Sequence, residues 1–357
     1  MNLKNEETLY IKRCLQLAAN GKGTCSPNPM VGSVIVYNGQ IIGEGWHRKA
    51  GEPHAEPNAI NSVKDKSLLS KSTMYVSLEP CSHFGKTPPC VDLIIRNEIP
   101  RVVIGTLDPF PLVSGRGVKR LREAGVEVVI GVEEEACKKL NINFFGFYTK
   151  NRPRVILKWA QTADGFIDGI RSYQDGAFPL KISTPFTQML THKLRSESDA
   201  ILVGTHTALL DNPKLNVRYW NGKDPLRVAI DRLGVLPENS NLFDNKQHTL
   251  IYTACESRQV GHTEWQQVDL SSNSIQLLLE DLYKRKIQVL LVEGGAQLHN
   301  SFLRENLWDE IQIEQSNENV YKGVPAPVLE KEWLEKAQIQ HYGEGGTLRK
   351  VQIVRNL

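Results

Sequence analysis

Residues 73–81 read TMYVSLEPC, a run rich in β-branched and apolar residues that leads into Pro80-Cys81. The part from Thr73 to Leu78 predicts a buried β-strand, because such residues suit a pleated, packed surface. Helix-like and strand-like segments then alternate: a helix after Pro89, a strand at 101–106, a helix near 117–124 and a strand at 126–132. This alternation predicts an α/β layered sheet.

The segment before this strand adds an opening helix and a hairpin. Apolar residues recur at helical spacing near the start, at Ile11, Cys14, Leu15 and Ala18. Strand-like runs at Val31–Tyr37 and Gln40–Ile42 are joined by Asn38-Gly39, which tolerates the positive φ of a tight turn. A short helix is expected from about His54, and one helical stretch over Glu133–Tyr148.

A length of 357 residues favours two domains, each long enough for its own core. Residues 149–153 read TKNRP, a polar segment with a proline that interrupts regular structure. We therefore expect one domain at 1–148, a linker at 149–153 and a second domain at 154–357. The second domain is also predicted to be α/β, with strands at 154–159, 200–203, 226–230, 249–252 and 288–292.

Composition and charge narrow the class of protein. The net charge of +3 is spread over mixed acids and bases, without the Lys/Arg block of a nucleic-acid or membrane surface. No signal peptide or membrane-spanning run is recognisable, so we expect a cytoplasmic protein. The six cysteines are then reduced, which favours metal binding or burial over disulfides. Cys14 and Cys137 lie in predicted helices and are expected in the core, whereas Cys25 lies in a loop without an evident partner.

His54-Ala55-Glu56, followed by Pro80-Cys81 and Cys90, is the strongest chemical signal. One imidazole and two thiolates would hold Zn²⁺ and leave its fourth tetrahedral position open for an attacking water. Glu56 has the reach to take a proton from that water and pass it to a departing amine. The pattern H-x-E with a later P-C is typical of zinc deaminases, although the two cysteines are usually separated by two residues. We therefore predict His54, Cys81 and Cys90 as ligands and Glu56 as the catalytic acid/base.

The longer cysteine spacing leaves a loop, residues 82–89, that needs its own explanation. His83 and Lys86 in this loop would lie close to the metal, where they could meet an anionic or carbonyl-bearing substrate. The alternative is a structural zinc site in which His83 is the fourth ligand. Glu56 argues against this alternative, since a structural site does not need a carboxylate beside the metal, although an exposed Glu at a helix start also serves as a cap.

Two further motifs complete a resemblance. SPNPMVG at 26–32 and LEPCSHFGKTPPC at 78–90 resemble the substrate loop and the zinc loop of the bacterial bifunctional riboflavin-biosynthesis family, in which a pyrimidine deaminase is fused to a ribosyl reductase. The resemblance covers nearly the whole chain. It implies a cytidine-deaminase-like three-layer α/β/α domain followed by a dihydrofolate-reductase-like α/β domain, a phosphorylated pyrimidine substrate, Zn²⁺ and NADPH as cofactors, and a homo-oligomer. It also implies that four residues contact the deaminase substrate: Asn28, His47, His83 and Lys86.

The second half is less informative from chemistry alone. No G-x-G-x-x-G follows a predicted strand, which argues against a Rossmann dinucleotide site. Glu293-Gly294-Gly295 follows a predicted strand and precedes a probable helix start, where glycine amides can receive a phosphate. An ordinary strand-to-helix turn explains the same residues equally well.

KWAQTADG at 158–165 and VGTHTALLDNP at 203–213 resemble the reductase motifs of the same family. The resemblance implies cofactor contacts at Ala160, Thr207, Asp211, Gly294 and Gly295. It implies substrate contacts at Arg195, Leu215, Arg218 and Glu293, of which the two arginines suit a phosphate; a surface salt bridge is the alternative for each. Lys158 and Asp164, in the first motif, are further candidates for a reductase role.

Two segments depart from the family pattern. Phe110 stands where the family usually has Asn, and residues 178–183, FPLKIS, replace a segment that usually carries Ser and Trp. The second departure leaves open a deaminase whose C-terminal half is catalytically silent, with Lys181 at the altered segment. A nucleic-acid base deaminase is a further alternative, disfavoured by the absence of a basic surface and of an aromatic platform.

Overall fold

The computed structural model describes residues 3–82, 88–110, 114–172, 178–271, 274–342 and 348–355. The chain forms two compact units, Met1–Lys150 and Asn151–Leu357. Within the described residues, no helix has the length and apolar character needed to cross a membrane. Each unit has its own sheet and its own hydrophobic core.

The N-terminal unit is built on a mixed sheet whose strand order in the described residues is β2-β1-β3-β4-β5. Its strands are β1 Gly32–Tyr37, β2 Gln40–Trp46, β3 Thr73–Leu78, β4 Arg101–Thr106 and β5 Glu127–Ile130. Its helices are α1 Leu3–Ala18, α2 Ala55–Ser62, α3 Cys90–Arg96, α4 Arg116–Glu123, α5 Glu134–Leu140 and α6 Ile142–Lys150. Strand β1 pairs antiparallel with β2 and β3, whereas β3, β4 and β5 are parallel.

Helices cover both faces of this sheet. Residues of α2, α3 and α4 pack with one set of strand side chains, and residues of α1 and α5 pack with the set that faces the other way. Helix α1 approaches β1 closely, since a Cβ at Gly32 would lie 2.0 Å from the Cys14 carbonyl oxygen. The predicted three-layer α/β/α arrangement is thus confirmed, and Cys14 and Cys137 are fully buried, as expected.

The stretch expected as one helix over Glu133–Tyr148 is instead two helices, α5 and α6, separated at Asn141. Asn141 is buried, and its side-chain amide forms two hydrogen bonds with the backbone of Met30, both 2.8 Å long. The prediction of a single helix was wrong because apolar spacing does not reveal this tertiary contact. Strand β2 also continues four residues beyond the predicted end at Ile42.

The C-terminal unit contains a sheet that is ten-stranded in the described residues, in the order β11-β12-β10-β9-β8-β13-β6-β14-β17-β16. Its strands are β6 Arg154–Gln161, β8 Ala200–Val203, β9 Leu226–Ile230, β10 Thr249–Thr253, β11 Arg258–Val260, β12 Thr263–Gln267, β13 Val289–Val292, β14 Glu310–Ser316, β16 Gln338–Tyr342 and β17 Leu348–Val354. The strands β7 Phe166–Asp168 and β15 Val324–Pro325 form a separate pair.

Five helices of the described residues accompany this sheet: α7 Pro185–Ser196, α8 Thr205–Asp211, α9 Ser274–Lys284, α10 Ala296–Arg304 and α11 Lys331–Glu335. Strands β12, β10, β9, β8, β13, β6 and β14 run parallel to one another. Their carboxyl ends therefore lie at one edge, where ligands of open α/β sheets usually bind. Helices α8 and α10 both begin at this edge: one residue separates α8 from the end of β8, and three residues separate α10 from the end of β13.

Candidate functional site

Three elements bring His54, Cys81 and Cys90 together in the N-terminal unit. His54 immediately precedes α2, Cys90 begins α3, and Cys81 lies three residues after the last residue of β3. His54 Nδ1 lies 3.6 Å from Cys81 Sγ and 3.4 Å from Cys90 Sγ, and the three ligand atoms all lie within 4.8 Å of one another. The sequence prediction of these three residues as one cluster therefore agrees with the geometry.

This donor set fits zinc. One imidazole nitrogen and two thiolates are ligands that Zn²⁺ prefers, and three protein donors are typical of catalytic rather than structural zinc sites. The pKa of Cys81 is lowered to about 4, first because of its hydrogen bond with the Cys90 thiol and then because of its hydrogen bond with His54. A thiolate, the form that binds a metal, is therefore favoured at Cys81.

Glu56 is placed beside these donors on the first turn of α2. Its side chain is buried, and burial raises its pKa to about 7. A buried carboxyl group with a pKa near neutrality can both accept and donate a proton under ordinary conditions. Glu56 therefore has the environment of a general acid/base.

The predicted substrate residues Asn28 and His47 form a chain that leads to His54. His47 Nδ1 lies 3.1 Å from the Pro53 carbonyl oxygen, which can only accept, so Nδ1 carries the proton. His47 Nε2 is then free to accept the hydrogen bond from the Asn28 side-chain amide at 3.1 Å. The His47 ring packs edge-on against His54 at 5.3 Å. His83 and Lys86 lie outside the described residues.

Cys25, for which the sequence indicates no partner, is buried in the same region. Its thiol donates a hydrogen bond to the backbone carbonyl oxygen of His47 at 2.9 Å. Phe110, at the position where Asn is usual, packs its ring against Tyr148 at 5.0 Å. Neither contact follows a local sequence pattern, because each joins residues far apart in the chain.

In the C-terminal unit, the turns after β8 and β13 are in contact. A Cβ at Gly294 would lie 2.9 Å from Val203 Cα, so only glycine allows this approach. Gly295 has a φ of +46°, and a Cβ there would lie 3.2 Å from Thr207 Oγ1. Thr207, Gly294 and Gly295 are thus neighbours at the carboxyl ends of two adjacent parallel strands.

Two of the predicted substrate residues pair with each other. Arg195 on α7 forms a two-point salt bridge with Glu293, at 2.8 Å and 2.6 Å, and also donates to the Asn216 carbonyl oxygen at 3.1 Å. The Arg195 side chain is 13% exposed, which rules out the surface salt bridge considered above. This pairing holds Glu293 ionised, since the charge of Arg195 lowers its pKa against the effect of burial.

His192 extends this group and carries no prediction from the sequence. It lies one helical turn before Arg195 on α7, and its Nδ1 accepts a hydrogen bond from the backbone N–H of Arg218 at 2.9 Å. Leu215, close to Arg218 in the chain, is buried and has a φ of +50°. Only their spacing of three residues on a helix could have predicted from the sequence that His192 and Arg195 lie on the same helix face.

The remaining predicted residues of the reductase half are dispersed. Asp211, at the end of α8, pairs with Arg171 at 2.7 Å, a partner that the sequence did not indicate. Ala160 lies on β6 opposite Glu314. Asp164 accepts hydrogen bonds from the Thr162 hydroxyl and from the backbone of Val320 and Tyr321, and so holds a loop in place.

Lys158 and the altered segment 178–183, which precedes α7, differ in environment. Lys158 is largely buried on β6, with its Nζ 4.0 Å from a carboxylate oxygen of Glu314. Phe178 is 92% exposed, and Lys181 is exposed as well. Neither Phe178 nor Lys181 therefore forms part of a packed wall in this structure.

Two family models match the chain. The cytidine and deoxycytidylate deaminase zinc-binding region matches residues 4–106, and the RibD C-terminal domain matches residues 153–315. The two matches fall in the two compact units. The first includes all three clustered ligands, and the second includes the Gly294-Gly295 turn.

Individual relatives match over most of their length. The riboflavin biosynthesis protein RibD of Aquifex aeolicus is 40% identical over 309 residues, which cover 85% of each chain. A solved structure from Thermotoga maritima, described as a diaminohydroxyphosphoribosylaminopyrimidine deaminase/5-amino-6-(5-phosphoribosylamino)uracil reductase, is 37% identical, covers 99% of both chains and has a TM-score of 0.84. RibD of Acinetobacter baumannii is 30% identical, with 99% of this chain and 100% of that chain covered and a TM-score of 0.84.

The same family is indicated by the cluster of His54, Cys81 and Cys90, by the contact between the turns after β8 and β13, and by the similarity to relatives over most of the chain. The order of the two units is the same as the order of the two family matches. The chain belongs to the RibD family of bifunctional deaminase and reductase enzymes of riboflavin biosynthesis.

Proposed function

We propose that the chain deaminates diaminohydroxyphosphoribosylaminopyrimidine by hydrolysis and then reduces the ribosyl group of 5-amino-6-(5-phosphoribosylamino)uracil to a ribityl chain. Deamination is assigned to residues 1–148 and reduction to residues 154–357, with 149–153 between them. The cluster of His54, Cys81 and Cys90 with Glu56 beside it is the observation that carries the proposal. The two reactions named in the description of the Thermotoga maritima structure support the choice of substrates.

For deamination, His54, Cys81 and Cys90 would hold zinc. When bound, zinc supplies a Lewis acid that makes water a stronger nucleophile near neutral pH. Glu56 takes a proton from the attacking water on a carboxylate oxygen and delivers it to the departing amino nitrogen, which leaves as ammonia. Its burial supports this role, because the neutral and ionised forms are both accessible near pH 7.

Asn28 and His47 would orient the pyrimidine. The Pro53 carbonyl oxygen sets the tautomer of His47, which then accepts a hydrogen bond from the Asn28 side-chain amide. This hydrogen bond fixes the Asn28 side chain and so the direction of its carbonyl oxygen. A ring edge with amino and carbonyl groups offers the donors and acceptors that such an amide can recognise. His83 and Lys86 are assigned to the same substrate on the basis of the resemblance alone.

For reduction, the turns that contain Thr207, Gly294 and Gly295 would receive the cofactor. When bound, NADPH supplies a hydride to the substrate. The bare backbone of the two glycines and the start of α10 suit the phosphate groups of a dinucleotide, since helix N-termini attract anions. Ala160 and Asp211 are assigned to the same cofactor.

Glu293 would bind the sugar chain of the reductase substrate. Its carboxylate is ionised and held by Arg195, so it is a fixed acceptor for sugar hydroxyl groups. Arg218, whose backbone is held by His192, would contribute a cation for the phosphate, and Leu215 would pack beside it. Lys158, whose Nζ lies 4.0 Å from a carboxylate oxygen of Glu314, is a further candidate for contact with the sugar.

Separate variants of the two halves test this assignment. Glu56→Gln is expected to stop ammonia release while NADPH oxidation continues when the deaminated pyrimidine is supplied directly. Glu293→Gln is expected to stop NADPH oxidation while ammonia release continues. Glu293 and its partner Arg195 both lie in the C-terminal unit, to which reduction is assigned. Loss of both activities in each variant, with both proteins folded, would contradict the division of labour.

A further inference from the structure

An ion bridge of three side chains joins β7 and the residues that follow it to helix α8. Arg171 donates one hydrogen bond to Asp211 Oδ1 at 2.7 Å and another to Asp168 Oδ2 at 2.8 Å. A guanidinium can serve two carboxylates at once, because its five N–H donors form a planar fork. The Arg171 side chain is 5% exposed, whereas those of Asp168 and Asp211 are 17% and 32% exposed. Arg171 is therefore the buried centre of this group, which we call the Arg171 bridge.

The Asp168 end of the Arg171 bridge is anchored by contacts of its own. Asp168 is the last residue of β7, where it lies opposite Val324 of β15. Its Oδ1 accepts hydrogen bonds from the backbone N–H groups of Gly169 and Leu180, both 2.9 Å long. Leu180 belongs to the altered segment 178–183, so the backbone of that segment is attached to the same carboxylate. Asp168 thus gives Arg171 a fixed support.

The Asp211 end lies beside the residues assigned to the cofactor. Asp211 and Thr207 are four residues apart on α8, which places them on the same face of the helix. Thr207 is in turn a neighbour of the glycine turn, since a Cβ at Gly295 would lie 3.2 Å from Thr207 Oγ1. Arg171 therefore contacts one assigned cofactor residue directly and lies one helical turn from a second.

Arg171 has two effects on Asp211. It occupies Oδ1, and within the described part of the chain no group donates a hydrogen bond to Oδ2, which leaves that oxygen for a hydroxyl group of a ligand. It also reduces the charge of the three side chains, when all are ionised, from that of two carboxylates to that of one. A dinucleotide carries several negative charges, so an uncompensated carboxylate at its site would repel it.

We propose that Arg171 is a positioning residue for NADPH, which acts through Asp211: it orients the Asp211 carboxylate and offsets its charge. Its burial between two carboxylates means that it does not itself need to contact the cofactor. The inference rests on the proposed function, in which Asp211 is assigned to NADPH. Arg171 lies outside both reductase motifs, at 158–165 and 203–213, and 40 positions before its partner.

Fluorescence titration of the full chain with NADPH tests the proposal. We expect Arg171→Gln to weaken NADPH binding by about 10- to 100-fold, the effect of losing one charge-assisted contact. Arg171→Lys keeps the charge but cannot bridge two carboxylates with a planar fork, so its affinity should be intermediate. Arg304→Gln removes an exposed arginine of the same unit and should leave the affinity unchanged.

A double-mutant cycle shows whether Arg171 acts through Asp211. If it does, Arg171→Gln should weaken NADPH binding much less in an Asp211→Asn protein than in the unaltered protein, because the effects of coupled residues do not add. Steady-state kinetics give a second readout: the KM for NADPH should rise in Arg171→Gln, while kcat at saturating NADPH should change by less than about threefold.

Two results would overturn the proposal. Unchanged NADPH affinity in Arg171→Gln would show that the bridge does not serve the cofactor. An equal loss of affinity with and without Asp211→Asn would show that Arg171 acts by another route. If thermal unfolding shows that Arg171→Gln does not fold, Arg171→Lys takes its place in the cycle, and unaltered NADPH affinity in that variant rejects the proposal.

The unaltered protein separates this inference from the proposed function. Its NADPH binding and its oxidation of NADPH with the deaminated pyrimidine are measured in parallel with the variants. If the unaltered protein binds and oxidises NADPH and Arg171→Gln binds it equally well, the role of Arg171 alone is rejected. If the unaltered protein neither binds nor oxidises NADPH, the proposed reductase function is rejected, and the inference with it.

Discussion

Glu56 is buried and lies two residues from His54, a predicted metal ligand. We expect Glu56→Gln to lower the rate of ammonia release by about 10²- to 10⁴-fold, the usual contribution of a general acid/base. Zinc content should remain unchanged, because the proposed ligands are His54, Cys81 and Cys90. The measurement is ammonia release together with metal analysis of the same sample.

The exposed Glu123 provides the control for this prediction, since it makes one long ion pair on the surface of α4. Glu123→Gln should release ammonia at the unaltered rate. A Glu56→Gln protein that keeps its activity would contradict the assigned role. Loss of zinc from that protein would instead indicate that Glu56 helps to hold the metal.

His192 makes stability depend on pH. Burial, and then the charges of Arg195 and Arg218, lower its pKa to about 4. An unfolded histidine titrates near pH 6.5, so between about pH 6.5 and 4 the unfolded chain binds the extra proton and the folded protein loses stability as the pH falls. We expect the difference in Tm between the unaltered protein and His192→Gln to shrink between pH 7.5 and 4.5. A difference that is constant over this range would contradict a neutral, buried imidazole.

At the scale of elements, Glu79 joins the end of β3 to the start of α4. Its two carboxylate oxygens accept four backbone hydrogen bonds, from Asp108, Gly115, Gly117 and Val118, at 2.9–3.3 Å. An anion at this position also interacts favourably with the N-terminal end of the helix. Because Cys81 follows two residues later, Glu79 fixes the strand end from which that ligand projects.

We expect Glu79→Gln to lower the free energy of unfolding by about 1.5–3 kcal/mol. The amide keeps one accepting oxygen but replaces the other with an NH₂ group, which cannot accept the hydrogen bonds of the surrounding backbone N–H groups. Urea denaturation measures the change. Glu98→Gln, at an exposed position of the same unit, is the matched control and should be neutral. An unchanged midpoint for Glu79→Gln would show that the buried carboxylate does not stabilise this junction.

The elements that the sequence predicted best are strands in which most residues are apolar. The bounds of β3, β4, β8 and β9 agree with the predicted runs, because strands covered on both faces are rich in apolar residues. Strands β14 and β17 were not predicted, since charged and amide side chains alternate with their core residues, as in Glu310–Ser316.

The sequence predicted the zinc site better than the contacts of the C-terminal unit, because only the zinc site is encoded in short motifs. The zinc ligands occur in two short motifs whose chemistry is specific, and the structure brings them together. The contacts of Arg171 with Asp211, of His192 with Arg218 and of Asn141 with Met30 join residues separated by 26 to 111 positions. No local pattern indicates contacts of this kind, because they depend on the tertiary fold.

For the whole molecule, the two units carry separate chemistry. All three proposed zinc ligands belong to the unit Met1–Lys150, whereas the glycine turn and the pair Arg195–Glu293 belong to Asn151–Leu357. We expect removal of zinc with a chelator to abolish ammonia release but to leave NADPH binding, measured by fluorescence titration, within about twofold of its original affinity. Zinc added back should restore ammonia release. Loss of NADPH binding on chelation would contradict this separation.

The central claim is that one chain performs both reactions, and product mass tests it most directly. The protein is incubated with diaminohydroxyphosphoribosylaminopyrimidine, with and without NADPH, while ammonia, nicotinamide absorbance and product mass are followed. We predict ammonia release in both samples and, only with NADPH, a product that has gained two hydrogens. Ammonia release without that gain would contradict the reductase assignment, and absence of both changes in zinc-loaded protein would contradict both assigned reactions.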